Sequence, residues 1–161
     1  MTGGPRDDGP RLLLRVLRPA FVTVGVLPWL VPLLRAYLPL GTAGVWLDAA
    51  FATMCHRLPE RSLVLAGVAM PVCSRCAGVF GGVALGALAA WPRLSPRRHK
   101  LAITAAGAAM LADVVTQDLG LHPLWHATRI TTGLLFGYAL GAASICALRR
   151  DAGGEPPLPT G

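Results

Sequence analysis

The chain has 161 residues, of which 53% are hydrophobic and only 14% charged, with a formal net charge of +7. A soluble domain carries about 25% charged residues, so this composition excludes an ordinary soluble globule and points to one integral membrane domain. The positive charge predicts no nucleic-acid partner, because no basic stripe is interleaved with aromatic residues. The Lys and Arg residues gather instead beside apolar segments, where they orient a protein in the lipid bilayer.

Residues 1–18 read as a tail, rich in Gly, Pro and Asp and ending in the basic run Arg11, Arg15 and Arg18. No charge interrupts the run from Pro19 to Leu34, and apolar character resumes after Arg35 as far as Leu40. A bilayer core needs about 20 apolar residues, so this stretch predicts a first span, kinked near Pro28 and Pro32. A cleavable signal peptide has similar flanks, but the apolar run is long and no small-residue cleavage site follows it.

Residues 41–75 are more polar, and within them VWLDAAFATM (45–54) predicts a short interfacial or re-entrant helix with Trp46 at headgroup level. Cys76 to Trp91 predicts the second span. The loop 92–100 carries four positive charges and no acid. Leu101 to Gln117 predicts the third span, residues 118–128 a short loop, and Ile130 to Leu148 the fourth. Residues 149–161 are charged and rich in Pro and Gly, the composition of a disordered tail. The fold expected is therefore all-α and polytopic: four transmembrane helices over residues 19–148, with a Cys/His-containing loop between the first two.

Counting basic residues orients these spans. Four crossings put the N-terminal tail, the 92–100 loop and Arg149–Arg150 on one side, which the positive-inside rule makes cytoplasmic. The expected location is the plasma membrane, with both termini inside and residues 41–75 and 118–128 outside. Gly78, Gly82 and Gly86 recur every four residues on the second span, and Gly133, Gly137 and Gly141 on the fourth. Small residues at this spacing let helix backbones approach closely in lipid. The two spans are thus expected to touch each other, or each to meet a partner in an oligomer or another membrane protein.

Three of the four cysteines lie in one stretch of the outer segment. Cys55, His56, Cys73 and Cys76 offer three thiolates and an imidazole, a tetrahedral donor set suited to zinc or another soft transition metal. Adjacent side chains point apart in regular structure, so Cys55 and His56 can ligate together only from irregular backbone. The same atoms admit a redox reading. A CxxC pair at a helix start, with Arg75 between its cysteines, should have an activated thiolate, and an outward-facing loop permits disulfides. Cys146 reads as a small buried hydrophobe, and Arg57, Glu60 and Arg61 as a solvated rim. No nucleotide or flavin motif is present.

A second polar group falls on the same side. Asp113 is an intramembrane carboxylate and so a functional candidate, with Thr116 and Gln117 on its helical face and Arg129 following the next loop. An ion pair between Asp113 and Arg129, pinning the third span to the fourth, is the structural alternative to solute handling. His122 and His126 are four apart, as helix-borne ligands often are, although Pro123 intervenes.

Cys55-His56 followed by Pro59-Glu60-Arg61-Ser62, then Cys73-Ser74-Arg75-Cys76 with Gly78, resembles the prokaryotic membrane proteins called domain of unknown function 2085. Asp113-Val114-Val115-Thr116-Gln117 and Arg129-Ile130-Thr131-Thr132-Gly133 are similar to that family's downstream motifs. His122 and His126 depart from its pattern. The resemblance implies an integral membrane protein and supplies no activity. The residues themselves favour transition-metal binding, with a thiol–disulfide protein and a small transporter or assembly factor as alternatives.

Overall fold

A computed structural model describes residues 9–56 and 58–153, and among them the chain forms five α-helices and one β-hairpin. Helix α1 (Gly9–Tyr37) begins ten residues before the apolar run and continues through Pro19, Pro28 and Pro32. Pro28 and Pro32 are fully buried, so neighbouring helices cover the turns whose hydrogen bonds these prolines remove. Helix α2 (Gly41–Ala52) matches the expected short helix; the Arg35 Nη2 holds its first turn by a bond to the Gly44 carbonyl at 2.6 Å. The tails fall partly outside the description: residues 1–8, Arg57 and residues 154–161 are not among the described residues.

The segment before the CxxC pair is a hairpin, which the helical reading missed. After a 3-10 turn at Pro59–Arg61, strand β1 (Ser62–Leu65) pairs antiparallel with β2 (Val68–Cys73). Leu65 opposes Val68, so Ala66 and Gly67 form a two-residue turn, and both have positive φ, of 50° and 78°. That is the turn whose twist suits a hairpin. Register slips between Val64↔Ala69 and Ser62↔Cys73, leaving β2 with surplus residues. Pro71, which cannot donate to a ladder, lies in this bulge. The bulge turns Met70, Pro71 and Val72 inward together, and Met70 and Val72 pack with Val31, Phe51 and Ala77 into a core.

Helix α3 (Ser74–Ala89) lies between α1 and α5, while α4 (Pro96–Asp118) packs on α5 (His126–Gly153). The expected 92–100 loop is shorter than read: Ser95 caps α4 by accepting the Arg98 N–H, and Pro96 opens the helix, its fixed φ suited to that position. The two glycine ladders face each other within the chain. A Cβ on Gly78, Gly82 or Gly86 would strike α5 backbone at Ile130, Leu134 or Tyr138, and one on Gly133, Gly137 or Gly141 would strike Arg75, Val79 or Val83. The contacts rise in step along both helices, so α3 and α5 run parallel. On the other side of α3, Gly25 of α1 meets the Phe80 carbonyl, and Trp29 Nε1 donates to the Ala77 carbonyl at 3.1 Å.

Two basic residues at the far end of this packing, Arg18 and Arg150, have structural partners. The Arg18 guanidinium donates to the carbonyls of Ala87 and Leu88 at 3.1 and 2.7 Å. Tyr138 Oη donates to the Trp91 carbonyl, Cys146 Sγ to that of Ala90, and Arg150 to that of Leu94. The last carbonyls of a helix lack intrahelical partners, and cations suit that end. Cys146 is buried, as expected of it, and contributes a weak hydrogen bond besides.

Two of these helices, α1 and α5, are long and apolar enough to cross a bilayer by length and composition. Four spans are thus reached only in part. Helix α3 has 16 residues, about 24 Å at the α-helical rise, against a hydrocarbon core of ~30 Å. Helix α4 is long enough, but Asp113, Thr116, Gln117 and Asp118 make its last turns polar.

Candidate metal centre

Three local structures converge on the sulfur atoms. Cys55 follows the unwinding end of α2, its N–H still bonded to the Phe51 carbonyl at 3.0 Å. Cys73 ends β2 and is at the same time the N-cap of α3, with φ −67° and ψ 159°. Cys76 lies in the first turn of α3, three residues on and hence on the same side. The Sγ atoms of Cys55, Cys73 and Cys76 lie within 4.8 Å of one another. The Cys73 backbone N–H donates to Cys55 Sγ at 3.3 Å, which locks the loop after α2 onto the strand end. Sulfurs this close can share one ion, since each Zn–S bond is about 2.3 Å. None of the three is in a disulfide.

His56 does not join them. Its side chain is exposed and the sulfur group contains no imidazole. The backbone reason is the one expected for adjacent residues: with Cys55 turned inward, its neighbour points out.

The pKa of the Cys73 thiol is lowered to about 4, first by a hydrogen bond from the Cys76 thiol, then by Cys55 and the positive charge of Arg129, with burial opposing. The surroundings of Cys73 thus favour its thiolate form. Arg129 is itself only 2% exposed. Arginine is almost never so buried unless paired, yet among the described residues it contacts no carboxylate. Its Nη1 reaches Gln117 Oε1 at 3.4 Å, and its Nε has no partner.

The polar residues of α4 come to the same place by a different pairing from the one expected. Asp113 is bound by Arg75, not Arg129: Arg75 Nη2 donates to Asp113 Oδ2 at 2.5 Å and approaches Gln117 Oε1 at 3.5 Å. Gln117 therefore bridges the two arginines. Arg75, read from sequence only as an activating charge within CxxC, is the residue that ties the thiol turn to α4. No local pattern points to this partner, because Asp113 is 38 positions further along the chain, on another helix. Thr116 turns aside, its hydroxyl bonding the Ala112 carbonyl at 2.7 Å and meeting His122 Nε2 at 3.0 Å. His122 stacks on Trp125 in the loop, with ring centroids 5.6 Å apart, so it shares no helix with His126, the first residue of α5. Arg61 and Asp118 lie 4.0 Å apart on the exposed rim.

A mostly helical chain with two bilayer-length helices and a half-buried group of three cysteines backed by arginines defines a class, a membrane protein with a thiol centre. Comparison with known proteins gives the family: residues 55–143 match the model described as "Predicted membrane protein (DUF2085)", and the chain belongs to that family. The match begins at Cys55 and takes in Cys73, Cys76, Asp113 and Arg129. The chain is 31% identical over 103 residues to an uncharacterized protein of Methanocaldococcus jannaschii, covering 60% of this chain and 64% of that protein. It is 33% identical over 94 residues to an uncharacterized protein of Methanothermobacter thermautotrophicus, covering 56% of this chain and 83% of that one. No solved structure matches the chain.

Proposed function

We propose that the protein binds one transition-metal ion, zinc by donor preference, through Cys55, Cys73 and Cys76 at the outer face of the membrane. The observation that carries this reading is the mutual approach of the three sulfurs to within 4.8 Å. The charges support it. Three thiolates around a dication leave one negative charge, and Arg129, buried without a carboxylate among the described residues, supplies the match. In this reading the protein crosses the membrane four times with both termini cytoplasmic. The short α3 crosses inside the sheath of α1 and α5, and the bilayer adapts to its length at modest cost.

Purified protein should carry about one zinc per chain by elemental analysis, as a structural tetrahedral site requires. Cys73→Ser should bring that ratio close to zero after chelator treatment that leaves the wild type loaded. A wild-type protein with no stoichiometric metal sinks the proposal.

A thiol–disulfide function is the second reading, favoured by the lowered Cys73 thiol beside Cys76 at a helix start. Here the Cys73 thiolate attacks a disulfide of a partner protein and one partner thiolate leaves. Cys76 then displaces the second partner sulfur, so the partner gains two electrons as a dithiol and Cys73–Cys76 becomes the disulfide. Thiol labelling in whole cells should then trap an oxidised fraction, whereas Cys73 and Cys76 staying reduced under all growth conditions would exclude the redox reading.

A further inference from the structure

The sulfurs supply three ligands, and zinc sites of the structural kind have four. We propose that His126, not His56, is the fourth ligand, its imidazole swinging onto the three sulfurs when the metal binds. This inference rests on the metal reading and goes beyond it by naming the residue that completes the centre.

Three observations carry it. The first is register: Gly133 packs on the Arg75 carbonyl and on Val79, and His126 is seven residues earlier on α5, nearly the same azimuth after two turns. It therefore stands on the α3-facing side about 10 Å above Gly133, past the start of α3, the end that Cys73 caps. Arg129, one turn below His126 and on the same side, reaches Gln117 Oε1, which Arg75 of the CxxC turn also approaches, so this face of α5 lies beside the thiol turn. The second observation is an orphaned atom: His126 Nδ1 is buried and has no hydrogen-bond partner. A buried polar atom left unpaired carries a desolvation penalty, which a coordinate bond removes. The third is freedom to move. His126 opens α5, so no preceding helical turn restricts its χ1. That freedom is needed, because the imidazole lies outside the group of atoms within 4.8 Å of one another. His56 has neither burial nor an orphaned atom to set against these.

X-ray absorption at the zinc edge of the full-length, metal-loaded protein tests the assignment. The wild type should show three sulfurs at ~2.3 Å and one imidazole nitrogen at ~2.0 Å, with the outer-shell scattering of the ring. His126→Asn should lose the ring signature, keep three sulfurs and bind zinc ~10-fold more weakly or worse, the range found for groups that merely support a ligand. His126→Cys should raise the sulfur count from three to four, which guards against reading a general disturbance as a lost ligand. His56→Asn should leave the spectrum unchanged. A ring signature that survives His126→Asn, or a wild type with three sulfurs and oxygen alone, overturns the inference while the metal reading stands. A wild type that holds no zinc removes both.

Discussion

Asp113→Ala should destabilise the folded chain by about 3–5 kcal/mol, the cost of leaving one member of a buried ion pair alone. The side chains of Arg75 and Asp113 are 13% and 8% exposed, so solvent cannot take over the lost charge. Gln117 Oε1, at 3.5 Å from Arg75 and 3.4 Å from Arg129, is a neutral acceptor already shared by two cations. Denaturant unfolding in detergent measures the loss. Replacing both partners, Arg75→Met with Asp113→Leu, should recover most of it, because an apolar pair of similar volume is often as stable as the buried ion pair. On the proposed metal reading, the double variant should also bind zinc as the wild type does, since no sulfur is touched. A single variant within ~1 kcal/mol of wild type, the worth of a surface pair, would show that Arg75 and Asp113 are not the buried tie described. Retained zinc with loss of a solute flux in the double variant would instead favour the transporter alternative.

The helices and the ladders are legible in the sequence because both signals are local. An uninterrupted apolar run from Pro19 marks α1, and glycines four apart mark one helix face whatever it meets. The hairpin is not legible, since Pro71 reads as part of a turn before α3. The two-residue turn Ala66–Gly67 sits between runs too short to show alternation, and the bulge around Pro71 spoils what alternation there is. The thiol group is legible in its three sulfurs, and the expected imidazole of His56 is not among them. CxxC fixes its own geometry, and Cys55 stands out by composition alone. Adjacency groups His56 with it, although adjacency is what keeps the side chain out. Sequence order pairs Asp113 with Arg129, the nearest downstream cation. Arg75 wins because the parallel packing of α3 on α5 brings the start of α3 beside the end of α4, a consequence of tertiary register that no local pattern encodes.

That register makes the glycine ladder the other place where one atom should matter greatly. Gly137→Ala would put its Cβ against the carbonyl oxygen, carbonyl carbon and Cα of Val79. All three are backbone, so nothing can swing aside and the helices must separate. Overpacking costs about 1–3 kcal/mol where side chains can adjust, and this variant should reach or exceed the upper end, seen as a lowered unfolding midpoint in detergent. Gly107→Ala is the matched control, because its Cβ would meet only the edge of the Phe136 ring at 3.3 Å, which can shift; its midpoint should barely move. Should Gly137→Ala alter oligomeric state and leave the monomer's stability intact, the ladders serve an interface between chains instead. Position along the ladder then separates packing from chemistry. Gly133 abuts Arg75, between the two cysteines, whereas Gly141 abuts Val83, two turns away. Substitution by alanine at either should lower stability to a similar degree. On the proposed metal reading, only Gly133→Ala should also weaken zinc binding, because the displaced stretch of α5 carries Arg129 and His126.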